Sequence, residues 1–144
     1  MKPEQIFMLI NCISGAAWFC IIVLSRFWKR SDFFVSGILV VMISLIYTWL
    51  NFAYIGESGG PKGFLSYDGV ATIFRNPYLI DAAWAHIIAF DILVGLWIKN
   101  NAVKNNIPYW MVVPVLLVTI MFAPLGYVIY LLLRLIRTKG TVQE

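Results

Sequence analysis

The chain has 144 residues, 61% hydrophobic and 12% charged, with a formal charge of +4 and a mean hydropathy of +0.83. Soluble domains usually carry about 25% charged residues, so a water-soluble globular domain is excluded. The positive charge does not indicate a nucleic-acid binder, because the basic residues gather at the ends of apolar blocks, where they mark topology and meet anionic lipid.

Four apolar blocks, about Gln5–Leu24, Phe33–Ile55, Tyr78–Trp97 and Trp110–Ile136, match the roughly 17–25 residues that cross hydrocarbon as a helix. A crossing segment must satisfy its backbone internally, so helices are expected. The expected fold is all-α: an integral membrane bundle of four transmembrane helices, forming one domain over residues 1–144. Lys2 followed by an apolar run resembles a signal peptide, but the run is too long and contains Asn11. No small-residue cleavage site follows before Arg26, so a retained first helix is expected. With no transit extension ahead of it, the chain reads as a bacterial cytoplasmic-membrane protein inserted directly.

Cys12 and Cys20 are eight apart, about 12 Å along one helix, and cannot bond each other. Both read as buried hydrophobes. Arg26, Lys29 and Arg30 follow the first block, and Lys99 and Lys104 follow the third. With four crossings these five lie on one side, whereas Arg134, Arg137 and Lys139 fall on the other. Orientation is then nearly undecided, and only the first helix favours an outside N-terminus.

The longest connection, Gly56–Asn76, contains Gly-Glu-Ser-Gly-Gly-Pro-Lys. It lacks the Gly-Lys-Ser/Thr ending and the strand–helix context of a phosphate loop. A re-entrant or lid-like loop is expected, with Phe64, Leu65, Tyr67, Val70, Ile73 and Phe74 as packing surface. Asn76-Pro77 predicts the start of the third helix, with Asn as cap and Pro at the first position. Asp81 in its second turn reads as an interface residue. Ile107-Pro108 opens the fourth helix, and Pro124 predicts a kink near Met121–Gly126 that frees the Ile120 carbonyl. A simple packing kink is the competing reading of Pro124.

The third block holds the only histidine, His86, together with Asp91. A carboxylate near mid-bilayer costs at least about 3 kcal/mol unless it is paired or solvated, which makes it a functional candidate. The two residues are five apart, about 140° around and 7.5 Å along an ideal helix, so they form no direct dyad. Ser44, Thr48 and Asn51 make a polar stripe on the second helix, beside Tyr47 and Tyr54, and Asn11, Gly15, Trp18, Ile22 and Ser25 make one on the first. Such stripes serve either as helix–helix contacts or as the walls of a polar pocket. Candidate substrate-binding residues are Trp84, Asn51, Thr48 and Trp97. One histidine and two membrane aspartates make a poor zinc site, a bis-His haem clamp is impossible in one monomer, and no dinucleotide fingerprint is present. No cofactor or metal is therefore expected, and cofactor-free acid–base work or proton handling remains.

Trp84-x-His86-x-x-x-x-Asp91, the Lys104-Asn105-Asn106-Ile107 loop and Pro124-Leu125-Gly126 follow one another in an order that resembles the ABA4-like family of four-helix membrane proteins. The resemblance covers roughly Phe64 to Ile136. Plant members of that family are required for neoxanthin formation, so it implies a carotenoid or other isoprenoid lipid as partner. In the plant step an epoxide opens while a neighbouring C–H is lost, without net oxidation. By resemblance, His86 and Asp91 would act as acid and base of such an isomerase, in either order. The competing expectations are a non-catalytic carotenoid-binding or scaffold protein, and a small proton or ion carrier that functions as a homo-oligomer.

Overall fold

The computed structural model describes residues 1–28 and 30–139, the last two as backbone. Lys29, the Lys139 side chain and the polar end at 140–144 lie outside the described residues. The fold is all-helical, with no strand among those residues. In chain order it runs α1 (Pro3–Ile22), α2 (Ser31–Phe34), α3 (Val40–Tyr54), α4 (Tyr67–Ile73), α5 (Pro77–Lys104), α6 (Tyr109–Met121) and α7 (Ala123–Lys139). A wide π-type turn joins α2 to α3, so 31–58 forms one continuous helical rod. Three segments are long and apolar enough to cross a membrane: Pro3–Arg26, Ser31–Ser58 and Pro77–Lys104.

The longest helix begins as its sequence predicts, with the Asn76 side chain accepting from the Tyr78 N–H at 3.0 Å and Pro77 in the first turn. Its 28 residues reach about 42 Å, two turns beyond the expected end at Trp97. The extension is possible because Lys99, expected in a loop, is buried and ion-paired with Asp32 at the start of α2. The helix ends at Asn106, whose φ of +52° is left-handed, while the Ile107 N–H returns to the Ala102 carbonyl at 3.0 Å. This cap reverses the chain directly into α6.

Helix α5 lies at the centre and packs against α1, α3, α6 and α7. Small residues on it (Ala82, Ala85, Ala89 and Gly95) are buried in these contacts, as expected where helices must approach closely without a strong hydrophobic drive. A Cβ on Gly95 would sit 2.5 Å from Cη2 of Trp18 on α1. Tyr78, Trp84 and Gly95 meet Met1, Asn11 and Trp18 in that order, so α1 and α5 run parallel. Tyr78, His86 and Lys99 meet Tyr54, Tyr47 and Asp32, so the second rod runs antiparallel to them.

The fourth apolar block does not form a single helix. Phe122 leaves the helical region (φ −143°, ψ 73°), and α7 turns back along α6. A Cβ on Gly126 would lie 2.9 Å from the Thr119 Cα, and the Arg137 guanidinium donates to Met111 Sδ at 2.8 Å. In one continuous helix residues 111 and 137 would be about 39 Å apart. The expected kink is therefore a full helical hairpin. Pro124 cannot donate to the Ile120 carbonyl, and Gly126 lets the two backbones touch.

The hairpin rises only part-way along α5. Tyr109 at its base donates to the Ile22 carbonyl at 2.5 Å, and its tip at Ala123–Pro124 lies beside Asp91. On the way down, Tyr130 donates to Asn101 Oδ1 at 2.8 Å. Arg134 and Arg137 thus sit at the same end as Arg26, Arg30, Lys99 and Lys104, which corrects their expected placement at the opposite end. Lys2, Lys62 and Arg75 belong to the other end. Cys20 is buried as expected, but Cys12 is exposed on the outer face of α1.

With Cys12 and Cys20 replaced by Ala, the pair Met111→Cys and Arg137→Cys should cross-link through a short bismaleimide. Mass spectrometry should show the joined peptides in most molecules, whereas a continuous fourth helix would give none.

Candidate functional site

The first half of α5 turns one face toward α3 and the connection that follows it. Between them lies a cavity of about 330 Å³, lined by Tyr47, Asn51, Phe64, Ile73, Phe74, Leu79, Ala82, Ala83, His86 and Ile87. Asn51 and His86, chosen from sequence, meet there. Their coincidence follows from the antiparallel register, which sets Tyr47 5.4 Å from the His86 ring. The Asn51 amide donates to the Tyr47 carbonyl at 2.9 Å, leaving its Oδ1 toward no other partner among the described residues. His86 also has no hydrogen-bond partner among them; Phe90, one turn on, packs on its ring at 4.8 Å. The wall is otherwise apolar, and His86 lies at its exposed edge.

The 56–76 connection covers one end of this cavity. Its 3-10 turn Pro61–Leu65 packs on α4 so tightly that a Cβ on Gly69 would sit 2.8 Å from the Gly63 Cα. Ser66 caps α4 by accepting from the Gly69 N–H at 3.1 Å. Of the residues expected to pack, Ile73 is buried and Phe64 and Phe74 line the cavity, but Leu65 and Tyr67 project outward at 86% and 88% exposure.

Asp91 faces elsewhere. It lines a cleft of about 350 Å³ with Phe90, Val94, Ala123, Pro124 and Tyr127, at the tip of the hairpin. The carbonyls of Thr119, Ile120 and Met121 accept no backbone N–H from α7, so the freed acceptor expected at Ile120 is one of three. Such backbone at membrane depth is tolerated only where it is covered by protein or lines a cavity. Asp91 makes no hydrogen bond or ion pair among the described residues. Trp97 borders the same groove, with its ring 5.2 Å from Tyr127 and 5.7 Å from Tyr130. Phe90 lines this side and touches His86, forming the ridge between the two hollows.

Two sequence candidates lie outside both. Trp84 turns to α1, its indole N–H donating to Asn11 Oδ1 at 3.3 Å and its ring 5.7 Å from Phe7. Thr48 is exposed on α3 and donates to the Ser44 carbonyl at 2.8 Å. The stripe on α1 therefore meets α5 through Asn11 and Trp18, whereas on α3 Asn51 lines the cavity and Thr48 bonds only within its own helix. Asp81, read as an interface residue, is 5% exposed with its Oδ2 lacking a hydrogen-bond partner. Tyr47 and the Phe64–Phe74 cover complete the cavity. Tyr47 stood beside the polar stripe in the sequence, but the closeness of the cover to His86 is a tertiary fact. Among the described residues no group of three or more His, Cys, Asp or Glu could hold a metal ion.

A family model described as ABA DEFICIENT 4-like matches residues 5–130, so the likeness extends through α1 and α3 as well as the later helices. No curated protein and no solved structure matches the chain.

Replacing Gly69 with Val forces the Pro61–Leu65 turn off α4 at a cost of about 1–3 kcal/mol. Limited proteolysis within 59–65 should then accelerate about tenfold, while helix content by circular dichroism stays within error; equal proteolysis rates would mean that the close packing is unimportant.

Proposed function

The chain belongs to the ABA4-like family, and from that premise we propose that it is a membrane protein that binds, and acts on, a carotenoid or related isoprenoid lipid. The observation that carries this reading is the apolar cavity walled by His86 and Asn51, with His86 exposed at its edge. Small-molecule sites combine such apolar walls with a few convergent polar groups. A hydroxylated or epoxidised end ring fits that chemistry, with His86 and the Asn51 Oδ1 as its polar contacts. From Leu79 to Trp97 the face of α5 measures about 27 Å, so a long polyene can lie past Phe90 and along the hairpin.

For an epoxide-opening isomerisation, His86 as the base removes the proton from the carbon beside the epoxide while a donor protonates the opening oxygen. The C–H and C–O bonds break, a C=C bond and an O–H bond form, and nothing is oxidised. Tyr47, whose ring packs on His86, is the hydroxyl-bearing residue among those lining the cavity. Asp91 lies across the Phe90 ridge, so it meets a different part of the same long ligand rather than the same epoxide.

The placement of Asp91 favours a second reading, as a proton or ion carrier. It stands midway along α5 beside a helix broken at the same depth, an arrangement used by transporters to bind cations. In either case the basic end of the bundle faces the cytoplasm and the N-terminus lies outside.

Expression in a carotenoid-producing host, followed by chromatography of total pigment and of the purified protein, tests the leading reading. A new pigment lost in both His86→Ala and Asn51→Leu, but kept in Thr48→Ala, is the expected result for an enzyme; co-purifying pigment without a new product indicates a binder. No pigment change and no retained isoprenoid in the wild type would reject both. Proton flux into liposomes that disappears with Asp91→Asn, at unchanged insertion, would favour the carrier.

A further inference from the structure

A third recess, of about 280 Å³, lies at the basic end of the bundle and serves neither hollow described above. Ser25, Arg26, Lys99, Asn100, Val103 and Tyr109 line it. Its polar groups divide into spent and unspent donors. The Ser25 hydroxyl donates to the Ile21 carbonyl at 2.7 Å and the Tyr109 hydroxyl to the Ile22 carbonyl at 2.5 Å, closing the end of α1. Lys99 is 7% exposed and held by Asp32. Arg26 is different: its guanidinium lies 5.4 Å from the centre of the Tyr109 ring and has no carboxylate or hydrogen-bond partner among the described residues. Asn100 is likewise exposed, with no side-chain partner among them.

The charges also leave a remainder. Arg26 and Lys99 against Asp32 give a net +1 beside a recess with two groups that still have N–H bonds to donate. One singly charged, acceptor-rich anion completes that balance. A phosphodiester does so, and the planar guanidinium fork matches phosphate oxygens.

The surroundings identify the source of the phosphate. The recess sits where α1 and α5 end, between helices that otherwise face hydrocarbon. Val103 on its wall is 67% exposed, and Trp28 and Trp110 at the same end are 40% and 70% exposed, as are aromatic side chains at a headgroup boundary. Arg30, Lys104, Arg134 and Arg137 add further positive charge to this end, which draws it to an anionic leaflet. We propose that this recess holds the phosphate of an anionic membrane lipid, with Arg26 and Asn100 donating to its oxygens and the acyl chains running along Val103.

The test is native mass spectrometry of the full chain in neutral detergent. It is titrated separately with phosphatidylglycerol, phosphatidylcholine and glycerol 3-phosphate. Phosphatidylglycerol should bind at least about tenfold more tightly than phosphatidylcholine, and glycerol 3-phosphate should give no retained adduct. Arg26→Gln should bring phosphatidylglycerol down to the phosphatidylcholine level, Asn100→Leu should weaken it severalfold, and Arg75→Gln at the opposite end should leave it unchanged. Both changed side chains are exposed, and an unaltered thermal midpoint checks that the fold survives. Phosphatidylglycerol binding that is untouched by both variants overturns the site. Glycerol 3-phosphate binding as tight as phosphatidylglycerol overturns the lipid as its source.

Discussion

Everything in this fold is arranged against one helix. α5 touches α1, α3, α6 and α7, and in a chain with so apolar an exterior, burial of hydrocarbon distinguishes poorly between one packed arrangement and another. Close backbone approach does distinguish them. Ala82, Ala85, Ala89 and Gly95 supply it, with Trp18 filling the space that any side chain at Gly95 would need. The Lys99–Asp32 ion pair adds a fixed point between α5 and the second rod, since without Asp32 the buried Lys99 charge would be left uncompensated. Helix order, register and the positions of both hollows follow from these contacts.

The break at Phe122 has consequences beyond local geometry. A straight or gently kinked fourth helix would carry Arg134 and Arg137 away from the other basic residues and leave the charge distribution ambiguous. Folding back along α6 returns them to the end that already holds Arg26, Arg30 and Lys104. The same reversal leaves three carbonyls at the tip without helical donors, beside the one carboxylate at mid-span. Backbone acceptors and Asp91 are thus brought together at one level of the bundle by residues far apart in sequence.

His86 and Asp91 share a helix but not a cavity. Their angular separation was legible from the spacing alone, and it sends one toward α3 and the other toward the hairpin. The structure adds the identity of each neighbour: Tyr47 and Asn51 beside His86, Pro124 and Tyr127 beside Asp91. Thr48 and Trp84 looked equally suitable as pocket residues. Small rotations around α3 and α5 turn one outward and the other onto Asn11. Polarity at helical spacing marks a face, but it does not say which neighbour that face meets.

The sequence by itself determined the all-helical character, the starts of the first three long apolar helices to within a few residues, the Asn76-Pro77 cap and the family. These rest on local physics: hydropathy over about 20 residues, capping chemistry and motif spacing. It also marked Pro124 as a point of failure. Whether that failure was a kink or a reversal depended on the fit between Gly126 and Thr119, seven residues apart, and on the room beside α5 for two helices rather than one. Lys99 read as a loop residue until Asp32, 67 positions away, was found to neutralise it. Such outcomes belong to the tertiary structure because they are decided by partners brought together in space, and neither hydropathy nor periodicity encodes which partners those will be.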